Sequence, residues 1–183
     1  GLAGRAASSF DGRRGLVVSP AHAAYGIVTR DDPQSMPRLA KLFERGRVVE
    51  TISDWTGKPY ASIYRAEGTP HVVPQKIVGA RLGDAIELIG YDGARGGSRI
   101  ALTLYWRSIV ETREDLTVFV HLTGATRLIV QDDARPGHGA YPTPRWKPGQ
   151  VIIDEYRLSI PNDAPKGAYQ IEIGMYNLET GAR

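Results

Sequence analysis

The sequence predicts a mainly β protein: an antiparallel β-sandwich, immunoglobulin-like or jelly-roll-like, preceded by a small α/β segment. Three observations predict it. From Lys76 onward apolar side chains recur at every second position, the period of a strand with one face in a core. Gly and Pro punctuate that stretch at short intervals, as tight turns between strands require. The whole chain carries 21 Gly and 12 Pro among 183 residues, above the usual combined share of about 12%. A helical bundle would not tolerate that excess.

The elements follow in order. Residues 1–14 (GLAGRAASSFDGRR) are small and polar and form a loose leader. Residues 15–66 form the small α/β segment, with strands expected at 15–19 (GLVVS), 25–29 (YGIVT), 48–53 and 60–65. Between them a helix is expected: Ser35 caps it, and Met36, Leu39, Ala40 and Phe43 fall at i, i+3, i+4 and i+7. Pro37 lies in the first turn, where its missing N–H has no partner to lose, and Gly46 is placed to end the helix. Residues 67–75 are a linker, and residues 76–183 are the sandwich.

Within the sandwich Ile100, Leu102, Leu104 and Trp106 alternate with Ala101, Thr103 and Tyr105. Leu116, Val118, Val120 and Leu122 alternate with Thr117, Phe119 and His121, and Tyr169, Ile171, Ile173 and Met175 with Gln170, Glu172 and Gly174. Shorter strands are expected at 77–81, around Ile86 and Leu88, around Leu128 and Val130, and through Tyr156, Leu158 and Ile160. About seven strands stacked as two sheets satisfy this pattern, with a closed barrel as the alternative.

Composition excludes several classes of function. There is no Cys, so disulfides, thiolate metal sites and thiol nucleophiles are out. No run of 18 apolar residues occurs, so nothing reads as a transmembrane helix. The chain begins at Gly1 without Met and reads as a piece of a longer protein. Net charge is +3, and all of it lies in residues 1–74, which hold ten Lys and Arg against seven Asp and Glu. The sandwich is neutral and lacks the basic stripe that nucleic-acid binding needs.

Chemistry-bearing residues gather in one place, the polar stretch from Gln131 to Trp146. It holds Asp132, Asp133, Arg135, His138, Tyr141, Arg145 and Trp146, and long loops on a rigid sandwich commonly carry binding sites. A rigid crossing between sheets is the competing reading. Tyr141 and Trp146 are the candidate platform for stacking a sugar ring, with Asp132 and Arg145 beside it to hydrogen-bond hydroxyls. Trp55 and Tyr60 are further candidates for stacking a sugar ring, and Trp106 belongs to the core.

Adjacent Asp132 and Asp133 point to opposite sides of an extended strand. That geometry suits neither the convergent carboxylates of glycoside hydrolysis nor a spaced calcium loop. Asp154 shares parity with Ile152 and Tyr156, so it lies either at the rim or buried and hydrogen-bonded, and as a structural polar residue it is expected to accept backbone N–H groups from the loop. His22, His71, His121 and His138 lack ligand spacing for zinc. No nucleophile elbow, phosphate loop or dinucleotide fingerprint is present. No catalytic residue, metal or cofactor is therefore assigned.

The strings IELIGYD, GSRIALTLYW, DLTVFVHL, YPTPRWKPG and GAYQIEIGMYNLETGAR, taken as an ordered set over residues 77–183, resemble an appended domain. It is the extracytoplasmic C-terminal β-sandwich of bacterial membrane proteins of the glycosyltransferase family 39 type, which are similar to dolichyl-phosphate-mannose–protein mannosyltransferases. Residues 15–66, ending in PYASIYRAEG, resemble the region between the last membrane helix and that sandwich. No residue here matches the family's catalytic loop. The resemblance implies a non-catalytic accessory domain on the extracytoplasmic face, beside a membrane-embedded transferase. Its partners would be the membrane portion of its own parent chain or a glycan. A carbohydrate-binding module and a protein-interaction module are the alternatives.

Overall fold

The computed structural model describes residues 15–19, 23–32, 45–67 and 71–182. They fall into two compact units, one of Val18–Val73 and one that joins the chain from Pro74 onward to the strand beginning at Gly15. Among the described residues eleven strands form three antiparallel sheets and no closed barrel. The fold is mainly β and consistent with a β-sandwich.

The first strand, β1 (Gly15–Val18), corrects the sequence expectation. It does not pair within the small segment but joins a sheet of the sandwich, alongside a strand more than 130 residues away. Gly15 permits the approach: a Cβ there would lie 2.5 Å from the Ile153 carbonyl oxygen.

The smaller unit contains β2 (Ala23–Thr29), β3 (Arg45–Ser53) and β4 (Pro59–Glu67), in the order β2-β4-β3. The helix expected from Ser35 through Phe43 lies outside the described residues. Gly46 does not terminate it; it sits in β3, where the Tyr64 ring crosses the space a side chain would fill. A bulge at Val49 shifts the register between β3 and β4.

The sandwich continues with β5 (Lys76–Leu82), β6 (Ile86–Gly96), β7 (Arg99–Ser108), β8 (Leu116–Thr123), β9 (Leu128–Ala134), β10 (Val151–Ser159) and β11 (Gln170–Asn177). One sheet has the order β1-β10-β7-β6-β5 and the other β11-β8-β9. The period-two pattern sets which side chains enter the core. Leu102, Leu104 and Trp106 of β7 are buried, as are Ile152, Tyr156 and Leu158 of β10, where Ile152 pairs with Trp106 and Tyr156 with Leu102. Val118, Val120 and Leu122 of β8 and Met175 of β11 are buried from the facing sheet. Each such side chain contributes about 1.5–3 kcal/mol relative to exposure. The Trp106 indole N–H is buried without an acceptor, a cost of about 1–3 kcal/mol set against burial of the whole ring.

Two irregularities position polar groups. A bulge at Ile89 shifts the β6–β7 register between Leu88 and Gly90. Beyond it Tyr91 and Gly93 face Leu104 and Leu102, while Asp92 turns outward to accept the Tyr105 hydroxyl at 2.7 Å and the Gln75 N–H at 2.7 Å. The β6–β7 hairpin closes through Gly97, at φ +60, where only glycine is unstrained. On the outer face of the three-stranded sheet Phe119 lies across its cross-strand partner Gly174, whose absent side chain makes the room.

A Cβ at Gly174 would sit 2.5 Å from the Phe119 ring, whereas one at Gly93 would meet nothing closer than 3.5 Å. Gly174→Ala is therefore expected to cost about 1–3 kcal/mol through overpacking, and Gly93→Ala less than about 1 kcal/mol. Urea denaturation of the two variants checks the contrast.

Candidate functional site

The loop from Arg135 to Gln150 connects β9 to β10 and is the stretch the sequence marks as functional. It begins with a 3-10 turn, Pro136–Gly139, and continues through a second, Thr143–Arg145. Gly137, His138 and Gly139 have φ of 63°, 52° and 91°. This left-handed run, which histidine tolerates better than a branched residue, folds the loop back onto β10.

The candidate sugar platform does not form. Tyr141 is 3% exposed and Trp146 1% exposed, and both rings belong to the hydrophobic core. Their polar atoms are turned inward as well. The Trp146 Nε1–H donates to the Tyr141 carbonyl at 2.9 Å. The Tyr141 hydroxyl meets the Arg145 carbonyl and the Gln150 Oε1, each at 3.0 Å. Gln150 Oε1 also accepts the Lys147 N–H at 2.9 Å. The Arg145 side chain is exposed, but with both rings buried there is no stacking surface beside it.

The loop is tied to its surroundings by equally specific contacts. Thr143 is fully buried; its hydroxyl donates to the Glu114 carbonyl and accepts the Leu116 N–H at 2.9 Å. Arg135 pairs with Asp115 at 2.9 Å and Lys147 with Glu111 at 3.0 Å. These ties join the loop to residues 109–115, the connection between β7 and β8.

Asp132 and Asp133 face opposite sides of β9. Asp132 Oδ2 accepts the Arg157 N–H at 3.2 Å, and the exposed His138 lays its Nε2 3.0 Å from the Glu155 carbonyl. Glu155 and Arg157 are two residues apart on β10, so these backbone groups share one edge. Side chains of Asp132 and His138 thus meet that edge of β10.

Asp154 is 0% exposed, on the core face between Ile152 and Tyr156 and opposite Leu104. Its Oδ1 accepts the Gly137 N–H at 3.0 Å and its Oδ2 the Tyr156 hydroxyl at 2.7 Å. Burial pushes the carboxyl up to about 6; the Tyr156 and Gly137 hydrogen bonds and nearby His138 oppose that shift, and Asp132 adds to it. Burial, and then Asp154 itself, push the Tyr156 phenol well above its ordinary range.

A second polar group, unassigned by sequence reasoning, lies on the outer face of the three-stranded sheet. Asp133 Oδ1 meets His121 Nε2 at 2.9 Å, and its Oδ2 receives the Tyr176 hydroxyl at 3.4 Å. The Phe119 ring centroid lies 4.9 Å from that of His121. Shared parity of Phe119 and His121 is visible in the sequence; their meeting with Asp133 depends on the β8–β9 register. Among the described residues no group of three or more His, Asp or Glu side chains is arranged to hold a metal ion.

No protein-family profile, curated protein or solved structure matches the chain.

The Asp154 carboxyl titrates higher in the folded chain than the 3.8 of an unperturbed Asp. The unfolded chain therefore loses this proton first, and the folded state loses stability as pH rises from about 4 through 6. The loss amounts to about 3 kcal/mol at about 1.4 kcal/mol per unit. In Asp154→Asn this component is absent. Chemical denaturation between pH 4 and 7 is expected to show the stability difference between variant and parent shifting by that amount, in the variant's favour at the higher pH.

Proposed function

We propose that this chain is a non-catalytic accessory domain of a membrane-bound glycosyltransferase-like protein, held on the extracytoplasmic face of the membrane. One observation carries the non-catalytic part. The loop richest in reactive residue types directs Asp132, His138, Tyr141, Thr143, Trp146 and the facing Asp154 into contacts within the fold. Side chains so engaged brace the sandwich, and rigid bracing is what a domain that orients a neighbouring enzyme requires. The association with a transferase and its location rest on the ordered motifs of residues 77–183. No helix among the described residues is long and apolar enough to cross a membrane, so on this reading the attachment comes from other parts of the parent protein.

A second reading, a protein-interaction module, is favoured by the edge strand β5. Ile77 there is 80% exposed and Val78 is exposed beside it, a surface that can take an added strand. The bulge between Ile77 and Ala80, with Gly79 at φ +67, interrupts the same edge, which favours the accessory reading.

The accessory reading predicts that the isolated chain neither transfers nor hydrolyses the sugar of a polyprenyl-phosphate donor. It also predicts that a parent protein lacking residues 76–183 keeps its chemical step but uses its acceptor with a raised KM. Turnover by the isolated chain that is lost in Asp132→Asn or His138→Gln would contradict it.

A further inference from the structure

The last strand of the sandwich ends in a turn that sends the chain back along its open edge. Asn177 closes β11; its carbonyl accepts the Gly181 N–H at 2.8 Å, and its N–H donates to the Ala182 carbonyl at 2.9 Å. Two residues thus oppose one. Gly181 takes φ +70, the left-handed glycine of a bulge that commonly starts the returning strand of a hairpin. Side chains fix the turn in between. Asn177 Oδ1 accepts the Glu179 and Thr180 N–H groups at 2.9 and 3.2 Å, and the Thr180 hydroxyl accepts the Ala182 N–H at 3.3 Å.

β11 is an outer strand of β11-β8-β9. Backbone groups alternate in direction along a strand, so Ile171, Ile173 and Met175 aim theirs as Asn177 does, away from β8. Among the described residues no backbone hydrogen bond reaches those three from that side. The facing sheet is uncovered in the same region. β9 meets β10, where Asp132 accepts the Arg157 N–H, so β11 lies toward the β6 and β5 side of the five-stranded sheet. There Ala80 and Leu82 of β5 pair with the buried Leu88 and Ile86. Leu82 packs against the core, but Ala80 is exposed, as is Val78.

We infer that the β11 edge receives a fourth strand, antiparallel to it, and that this strand is the part of the parent protein continuing from Ala182. An edge with unpaired backbone groups is a template for strand addition, and here the turn selects the occupant. Ala182 already holds the edge at Asn177, in the register that leads on to Met175, Ile173 and Ile171. A strand from a second copy would have to stop short of that turn. The added strand lies over β5 and covers what the three-stranded sheet leaves open, so its inward side chains are apolar at alternate positions. The inference rests on the reading of this chain as one domain of a longer protein, and not on the transferase association. A parent whose acceptor KM is indifferent to residues 76–183 would sink that association and leave the β11 edge as inferred.

Amide hydrogen exchange reads the pairing residue by residue. The chain ending at Arg183 is compared with one lengthened by the parent's next ~10 residues, enough for one strand. In the longer chain the Ile171 and Ile173 amides should exchange at least about tenfold more slowly than in the shorter one. Glu172 and Gly174, whose backbone groups point to β8, are the internal reference and should change little. Gly181→Val cannot take φ +70 without strain, and should remove most of the added protection from the longer chain. Gly181→Asn, which tolerates that conformation, should keep it. Equal exchange of Ile171 and Ile173 in the two chains would overturn the inference, as would protection that Gly181→Val leaves intact. Protection that rises with concentration in the shorter chain would do the same, by placing a second copy on the edge.

Discussion

A three-stranded sheet cannot cover a five-stranded one, and that mismatch governs the rest of the sandwich. The sheet β1-β10-β7-β6-β5 has five strands, and the sheet β11-β8-β9 has three. Sheets packed face to face exclude water from the layer between them only if the whole layer is filled. The loop from Arg135 to Gln150 supplies the missing cover, with Tyr141 and Trp146 in the same core as Trp106 and Leu104. Its indole and hydroxyl groups find partners inside the loop, so closing the layer strands few polar atoms.

The same constraint explains a carboxylate on a core face. Where the loop descends onto β10 its left-handed turn brings the Gly137 N–H inside, and a buried N–H needs an acceptor. Asp154 provides it and shares its second oxygen with Tyr156. The arrangement trades hydrophobic burial for a fixed loop position, at a cost that grows as the carboxyl ionises. Around the rim the side chains of Asp132 and His138 meet the Arg157 N–H and the Glu155 carbonyl of β10. Structural demand, with no ligand invoked, accounts for much of the loop's unusual composition.

The layers of this fold are legible in the sequence because alternation has a fixed period. Leu102, Leu104 and Trp106, or Val118, Val120 and Leu122, announce their shared face before any partner strand is known. What lacks a period is not legible in that way. Tyr141 and Trp146 lie in an irregular loop beside Pro142, Pro144 and Pro148, where nothing local distinguishes a buried ring from a displayed one. The partner of Gly15–Val18 is set by tertiary proximity to β10. Nor does any period announce the bulge at Ile89, or the approach of Lys76 and Pro74 to Gly90, where no side chain fits. Gly46 illustrates the remaining ambiguity, since a glycine after an apolar stripe suits a helix end and a strand crossed by an aromatic ring alike. At the site, the parity of Asp154 put it on the face of Ile152 and Tyr156 but left rim or core undecided, while the meeting of His121 with Asp133 waited on register.

The account turns on whether the loop is part of the core, and amide and indole hydrogen exchange measures that directly. The Trp146 Nε1–H should exchange as slowly as the amides of β7 and β8, limited by global unfolding, while the Trp55 indole exchanges at the rate of a free side chain. Fast exchange at Trp146 in a chain whose central strands stay protected would mean that the loop opens on its own, and would contradict the reading of it as the closing wall of the sandwich.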